Sequence, residues 1–312
     1  MSKGRQIVAL IQEIQDSPEY ELFISLRGFN ISIFIFEKNF EDLNKLISML
    51  TNDSKYQYLY SLRNRDKLHE VMAHIIRMIH NFVASSLSLI DHTRRVYKNL
   101  YEKTGKFEDY QTRIEIEFIN DPLSQFIKGL RQYCQHYKSP DLSITTNWQQ
   151  INEKETRVVE LLKDDLIAFE GWNVNAKAYL DSLDKKINII EIAQIYRTKV
   201  LEFYEWFKNR QMEIHQEEFK TLHEKELRLL TLKLENKIET ALNQKKMNIS
   251  HESDEIFLSI FTSAEFNELK KFSIDPSVRV ERAIELLELH LPVSDNLKTQ
   301  IRRWYKEIGS IS

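Results

Sequence analysis

Arg131 and His136, in the run Arg131-Gln132-Tyr133-Cys134-Gln135-His136, are the side chains whose types and spacing best suit chemistry. A guanidinium presents a planar fork that donates two hydrogen bonds at once to a phosphate. An imidazole takes or gives a proton near neutral pH. Such a pair serves phosphoryl transfer without a metal: one group moves the proton and the other stabilises charge on phosphorus. Spacing alone carries little weight, since an Arg followed five residues later by a His is expected about half a time by chance in such a chain. A second copy, Arg210 to His215, lies among Lys208, Glu213, Glu217 and Glu218 and reads as a solvated helix surface. There is no glycine-rich phosphate loop, His-Glu-x-x-His helix or Gly-x-Ser-x-Gly elbow, which argues against nucleotide hydrolysis and zinc proteolysis. The lone Cys134 excludes an internal disulfide and a thiolate metal cluster, so no cofactor or metal is expected.

The motif has to be held by helices. With 42% hydrophobic and 29% charged residues but only 6 Gly and 5 Pro, the composition predicts an all-α protein. From Asp66 to Lys103, Leu68, Met72, Ile75, Ile79, Phe82, Leu89, Val96 and Leu100 recur at steps of mostly three, four or seven, the mark of one long helix with a buried stripe. Its polar residues form two rows: His69, His80 and Asp91, then His74, Asn81, Ser85, Ser88 and His92. Neighbours within a row stand up to about three turns apart, roughly 16 Å, too far to share one metal. They are either satisfied polar groups where helices cross, or the His80-Asn81 turn or the run Asp91-His92-Thr93-Arg94 supports the catalytic motif. Thr104-Gly105 suits a helix stop, and Tyr110 to Phe118 makes a shorter helix. Asp121-Pro122 then caps a helix whose apolar face is Leu123, Phe126, Ile127, Leu130, Cys134 and Tyr137. Ile31 to Phe36 alternates as a strand does, yet its surroundings favour helix.

Three regions follow from this pattern: a helical bundle at 1–140, a long-helix region at 141–247 and a C-terminal helical unit at 248–312. Leu142 to Trp148 has turn or short-strand character at the first boundary, and beyond it the pattern returns to helix. Between Lys185 and Gln244 the apolar spacing runs without a breaker, as expected of one or two extended helices, a hairpin or a coiled-coil arm offering a surface to a protein partner. Lys245 to His251 reads as a linker, while Asp275-Pro276 and Ser294 or Asp295 mark helix starts. Residues 61–140 carry 13 Lys and Arg against 9 Asp and Glu, and the other stretches are net negative, so a polyanion would meet this segment. No apolar run approaches membrane-spanning length and no signal segment is visible, so no membrane partner and a cytoplasmic location are expected.

His80-Asn81, Asp91 to Arg94, and Leu130-Arg131-Gln132-Tyr133-Cys134-Gln135-His136 give the chain a resemblance to the HEPN superfamily, covering residues 60–140 or all of 1–140. That resemblance implies a helical bundle whose ribonuclease members carry Arg-x4-His on a late helix and cut RNA at a composite site across a homodimer, as in bacterial toxins and antiviral defence. Active members often carry Asn, Asp or His after the arginine; Gln132 stands there and is also a hydrogen-bonder. Helical phase is consistent with a two-chain site, because five residues turn about 500° and leave Arg131 and His136 roughly 140° apart. A single helix cannot easily aim both at one phosphate, whereas a two-fold axis lets each converge with its symmetry mates. The competing expectation is a non-catalytic HEPN-like protein that dimerises or binds RNA.

Overall fold

The computed structural model describes residues 2–52, 54–149, 154–244, 261–271 and 276–308. Within them are α1 (Lys3–Gln15), α2 (Pro18–Asn52), α3 (Arg65–Leu100), α4 (Tyr110–Ile114) and α5 (Pro122–His136), followed by β1 (Leu142–Gln149) and β2 (Lys154–Leu162). Then come α6 (Lys163–Ile167), α7 (Val174–Ser182), β3 (Lys186–Asn188), α8 (Ile189–Ile214), α9 (Gln216–Gln244), α10 (Ser263–Lys271), α11 (Pro276–His290) and α12 (Asp295–Ile308). The fold is helical, as expected, with one small antiparallel sheet in the order β1-β2-β3. No helix among the described residues is long and apolar enough to cross a membrane.

By tertiary contact the chain forms two compact units, residues 24–214 and residues 1–23 with 215–312. The core of the first runs across residue 140, where the sequence suggested a boundary: Leu130 and Tyr133 of α5 share one apolar cluster with Val159 and Leu161 of β2. Its centre is aromatic. Phe36 stacks on Phe82 at 5.3 Å, and Tyr196 meets the two rings edge-on at 6.3 and 6.4 Å, joining α2, α3 and α8. In α2, Phe29, Ser32, Phe36, Phe40, Leu43, Ile47 and Leu50 are buried at steps of three and four, which fixes the Ile31–Phe36 stretch as helix. Its strand-like alternation arises because Ile31, Phe34 and Ile35 lie on the exposed side.

The stripe read from α3 is the buried one, with Ile75, Ile79, Phe82, Leu89 and Val96 facing inward. Gly105, at φ 64°, supplies the left-handed residue that ends this stretch. The helix read from Tyr110 to Phe118 begins as α4 and finishes in a π turn at Glu115–Ile119. One departure is β2, for which sequence periodicity predicts helix. Antiparallel pairing sets Leu142 opposite Leu161 and Gln149 opposite Lys154, and β3 then sets Ile187 opposite Leu161. These long-range ladders decide the conformation of a stretch whose local pattern is ambiguous.

In the second unit, Leu10 and Ile14 of α1 pack with Leu222 of α9. Farther along α9, Leu234 and Ile238 join Leu269, Ile284, Leu287, Leu297 and Ile301 from α10 to α12. The ends are capped. Glu265 accepts from the Thr262 backbone N–H at 2.8 Å and Thr262 Oγ1 from the Glu265 N–H at 3.3 Å, a reciprocal box. Ser294 Oγ caps α12 through the Leu297 N–H at 3.1 Å. The unbroken pattern from 185 to 244 resolves into β3, α8 and α9. The linker read at 245–251 and Asp275 lie outside the described residues.

Candidate active site

Helix α5 starts as its sequence dictates. The Asp121 carboxylate accepts the Ser124 N–H at 2.7 Å, and Pro122 occupies the first turn, where no N–H is needed. Leu123, Phe126, Ile127 and Leu130 face the core. At the other end the inward residue is Tyr133, fully buried, rather than Cys134 or Tyr137: Cys134 is half-buried and Tyr137 half-exposed. Just before α7, Trp172 fits closely against this helix: a Cβ on Gly129 would come within 2.4 Å of its ring. That indole stacks on Phe126 at 5.3 Å and 7° and donates Nε1–H to the Leu166 carbonyl at 2.8 Å.

The turn after the motif is pinned by a carboxylate that no local sequence pattern singles out. Asp165 of α6 accepts the Tyr133 hydroxyl at 2.5 Å and the Asp141 N–H at 3.3 Å, and also pairs with Lys138. Burial pushes its pKa up, but Lys138, Tyr133 and the Asp141 N–H outweigh it and hold the carboxyl below its ordinary value. Burial first, then Asp165, raises the Tyr133 phenol well above its own. Because the folded-state carboxyl is depressed, its contribution to stability is complete above the ordinary carboxylate range and fades as pH falls through the folded value. We therefore expect Asp165→Asn to lower stability by about 1–2 kcal/mol at pH 7. The gap to the parent should close progressively below about pH 4. Denaturant melts at pH 7, 5 and 3 check this, and a gap independent of pH would contradict it.

On this support, helical phase leaves Arg131 and Gln132 half-buried and His136 exposed at the last turn. Among the described residues Arg131 has no carboxylate partner, and its Nε is buried without a hydrogen bond. His136 has no hydrogen-bond partner among them either. The second Arg-x4-His copy is committed elsewhere: Arg210 pairs with Glu213 at 2.6 Å and Asp109 at 3.6 Å, and His215 is buried and sits 3.3 Å from Glu218.

The supporting residues divide. His80 comes to α5: with Ala73, Ile76 and Arg77 it lines an open cavity of about 410 Å³ opposite Cys134, Ser139 and Pro140. Asn81 is exposed beside it in sequence. Asp91, His92 and Arg94 lie 11 to 14 residues farther along α3, roughly 16–21 Å from His80 by helical rise. There His92 Nδ1 is 2.5 Å from Ser32 Oγ of α2, and Arg94 reaches Asp91 at 3.5 Å. Within one chain these three do not join the motif. Among the described residues no three of His, Cys, Asp and Glu are grouped to hold a metal ion, and burial pushes the Cys134 thiol up to about 12, leaving it protonated at neutral pH. Sequence reasoning passed over Arg77, which shares the face of His80 one turn away, and Asp165, whose role depends on a partner more than 30 residues distant.

No known family, characterised protein or solved structure matches the chain.

Proposed function

We propose that this chain is a metal-independent endoribonuclease of the HEPN type, with a composite active site formed where two copies bring their α5 helices together. The observation that carries the proposal is the state of the motif: an exposed His136 and an Arg131 with no carboxylate partner among the described residues, on one anchored helix. Arg210 and Arg197, by contrast, are engaged by carboxylates.

In this reading one imidazole takes the proton from an RNA 2′-hydroxyl as its oxygen attacks the adjacent phosphorus. The P–O5′ bond breaks, and the leaving oxygen is protonated by the other imidazole. Arg131 side chains stabilise the charge on the pentacoordinate phosphorus with paired N–H donors. The products are a 2′,3′-cyclic phosphate and a 5′-hydroxyl, so no water or metal enters the first step. The setting is bacterial toxin or antiviral defence in the cytoplasm, with α8 and α9 available to a protein partner.

Purified protein incubated with total RNA in excess EDTA should yield fragments ending in 2′,3′-cyclic phosphate. Intact RNA after prolonged incubation at micromolar protein would overturn the proposal.

A further inference from the structure

We propose that the cavity between α3 and the end of α5 is a subsite for one RNA nucleotide, its base on the apolar floor and its phosphate on Arg77. The ligand class rests on the nuclease reading; the site itself rests on its own geometry. Ala73, Ile76, Arg77 and His80 follow one another at steps of three, one and three, so they share a face of α3, and that face turns to Cys134 and Pro140. Apart from Arg77 and His80 the lining is uncharged and mostly apolar: Ala73, Ile76 and Pro140 carry no polar side-chain atom, the Cys134 thiol stays protonated, and Ser139 adds a neutral hydroxyl. At about 410 Å³ the space falls within the range of small-ligand sites and admits a base with its sugar.

Its electrostatics select an anion. None of the described residues lining the cavity is acidic, and among the described residues neither Arg77 nor His80 has an ion pair or hydrogen bond. A flat apolar surface beside a guanidinium and an imidazole matches a nucleotide, whose ring stacks while its phosphate takes the charged donors. Position favours the same occupant. Cys134 stands three residues from Arg131 on α5, about 60° around the helix, so a nucleotide held against it would neighbour that guanidinium.

The test uses the full chain and a fluorescent 2′-O-methyl RNA hexamer, which lacks the attacking hydroxyl and stays intact. The same hexamer without bases measures the contribution of phosphate alone. Arg77→Ala and Ala73→Phe, the second filling the cavity from an exposed position, should each weaken hexamer binding at least tenfold, and the abasic hexamer should bind the parent at least tenfold more weakly. Equal affinity of parent and both variants, or of the two hexamers, overturns the subsite. A chain that binds the hexamer through Arg77 but cuts no RNA would refute the nuclease reading and leave the subsite standing. A chain that cuts RNA while both variants keep parental affinity and cut sites would refute the subsite alone.

Discussion

Replacing His136 by alanine should lower the rate of RNA cleavage by a factor of about 10² to 10⁴, the range typical of a lost general acid or base. Arg131→Ala should cost about as much, because charge on the pentacoordinate phosphorus would lose a bidentate donor. Stability separates these effects from unfolding. His136 is exposed and without a hydrogen-bond partner among the described residues, so His136→Ala should change stability by less than about 0.5 kcal/mol. Arg131 is half-buried, and its alanine variant should lose somewhat more through the packing of its stem. Arg131→Lys keeps the charge but not the planar fork and should recover only a small part of the rate. Initial rates on a labelled RNA, set beside thermal melts, give the comparison. Either alanine variant cutting at the parental rate would remove the catalytic assignment.

Phe82→Ala should be the most destabilising of these changes, at about 3–5 kcal/mol. The ring is wholly buried and contacts Phe36, Phe40 and Tyr196, so its removal leaves a cavity among three helices that cannot close without moving α2 or α8. For a unit of this size the loss corresponds to a fall in Tm of roughly 6–20 °C. Phe82→Leu, which fills much of the space, should lose much less. Since His80 stands two residues away on the same helix, loosening α3 should also reduce any activity that depends on that wall of the cavity. Calorimetry on both variants decides the matter, and a loss below 1 kcal/mol for Phe82→Ala would show that the cluster repacks.

Where a feature depends on neighbours close in sequence, the residues announced it. The stripe of α3, the Asp121-Pro122 start of α5 and the left-handed Gly105 follow from helical period, capping chemistry and the missing Cβ of glycine. The Arg-x4-His motif was visible for the same reason. Tyr133 was the exception on α5: periodicity gave the inward place to Cys134 and Tyr137, but Asp165 and the core around Phe169 draw the neighbouring ring inside.

The chain's order of residues settled its helical character, the buried stripe of α3 and the placement of Arg131 and His136 on one helix, because these follow from interactions within a few residues. Only the folded arrangement made β2 a strand, tied Tyr133 to Asp165, brought His80 to Cys134 and left Asp91, His92 and Arg94 remote from the motif. Such pairings join positions tens of residues apart, and their energies arise only once the core has closed.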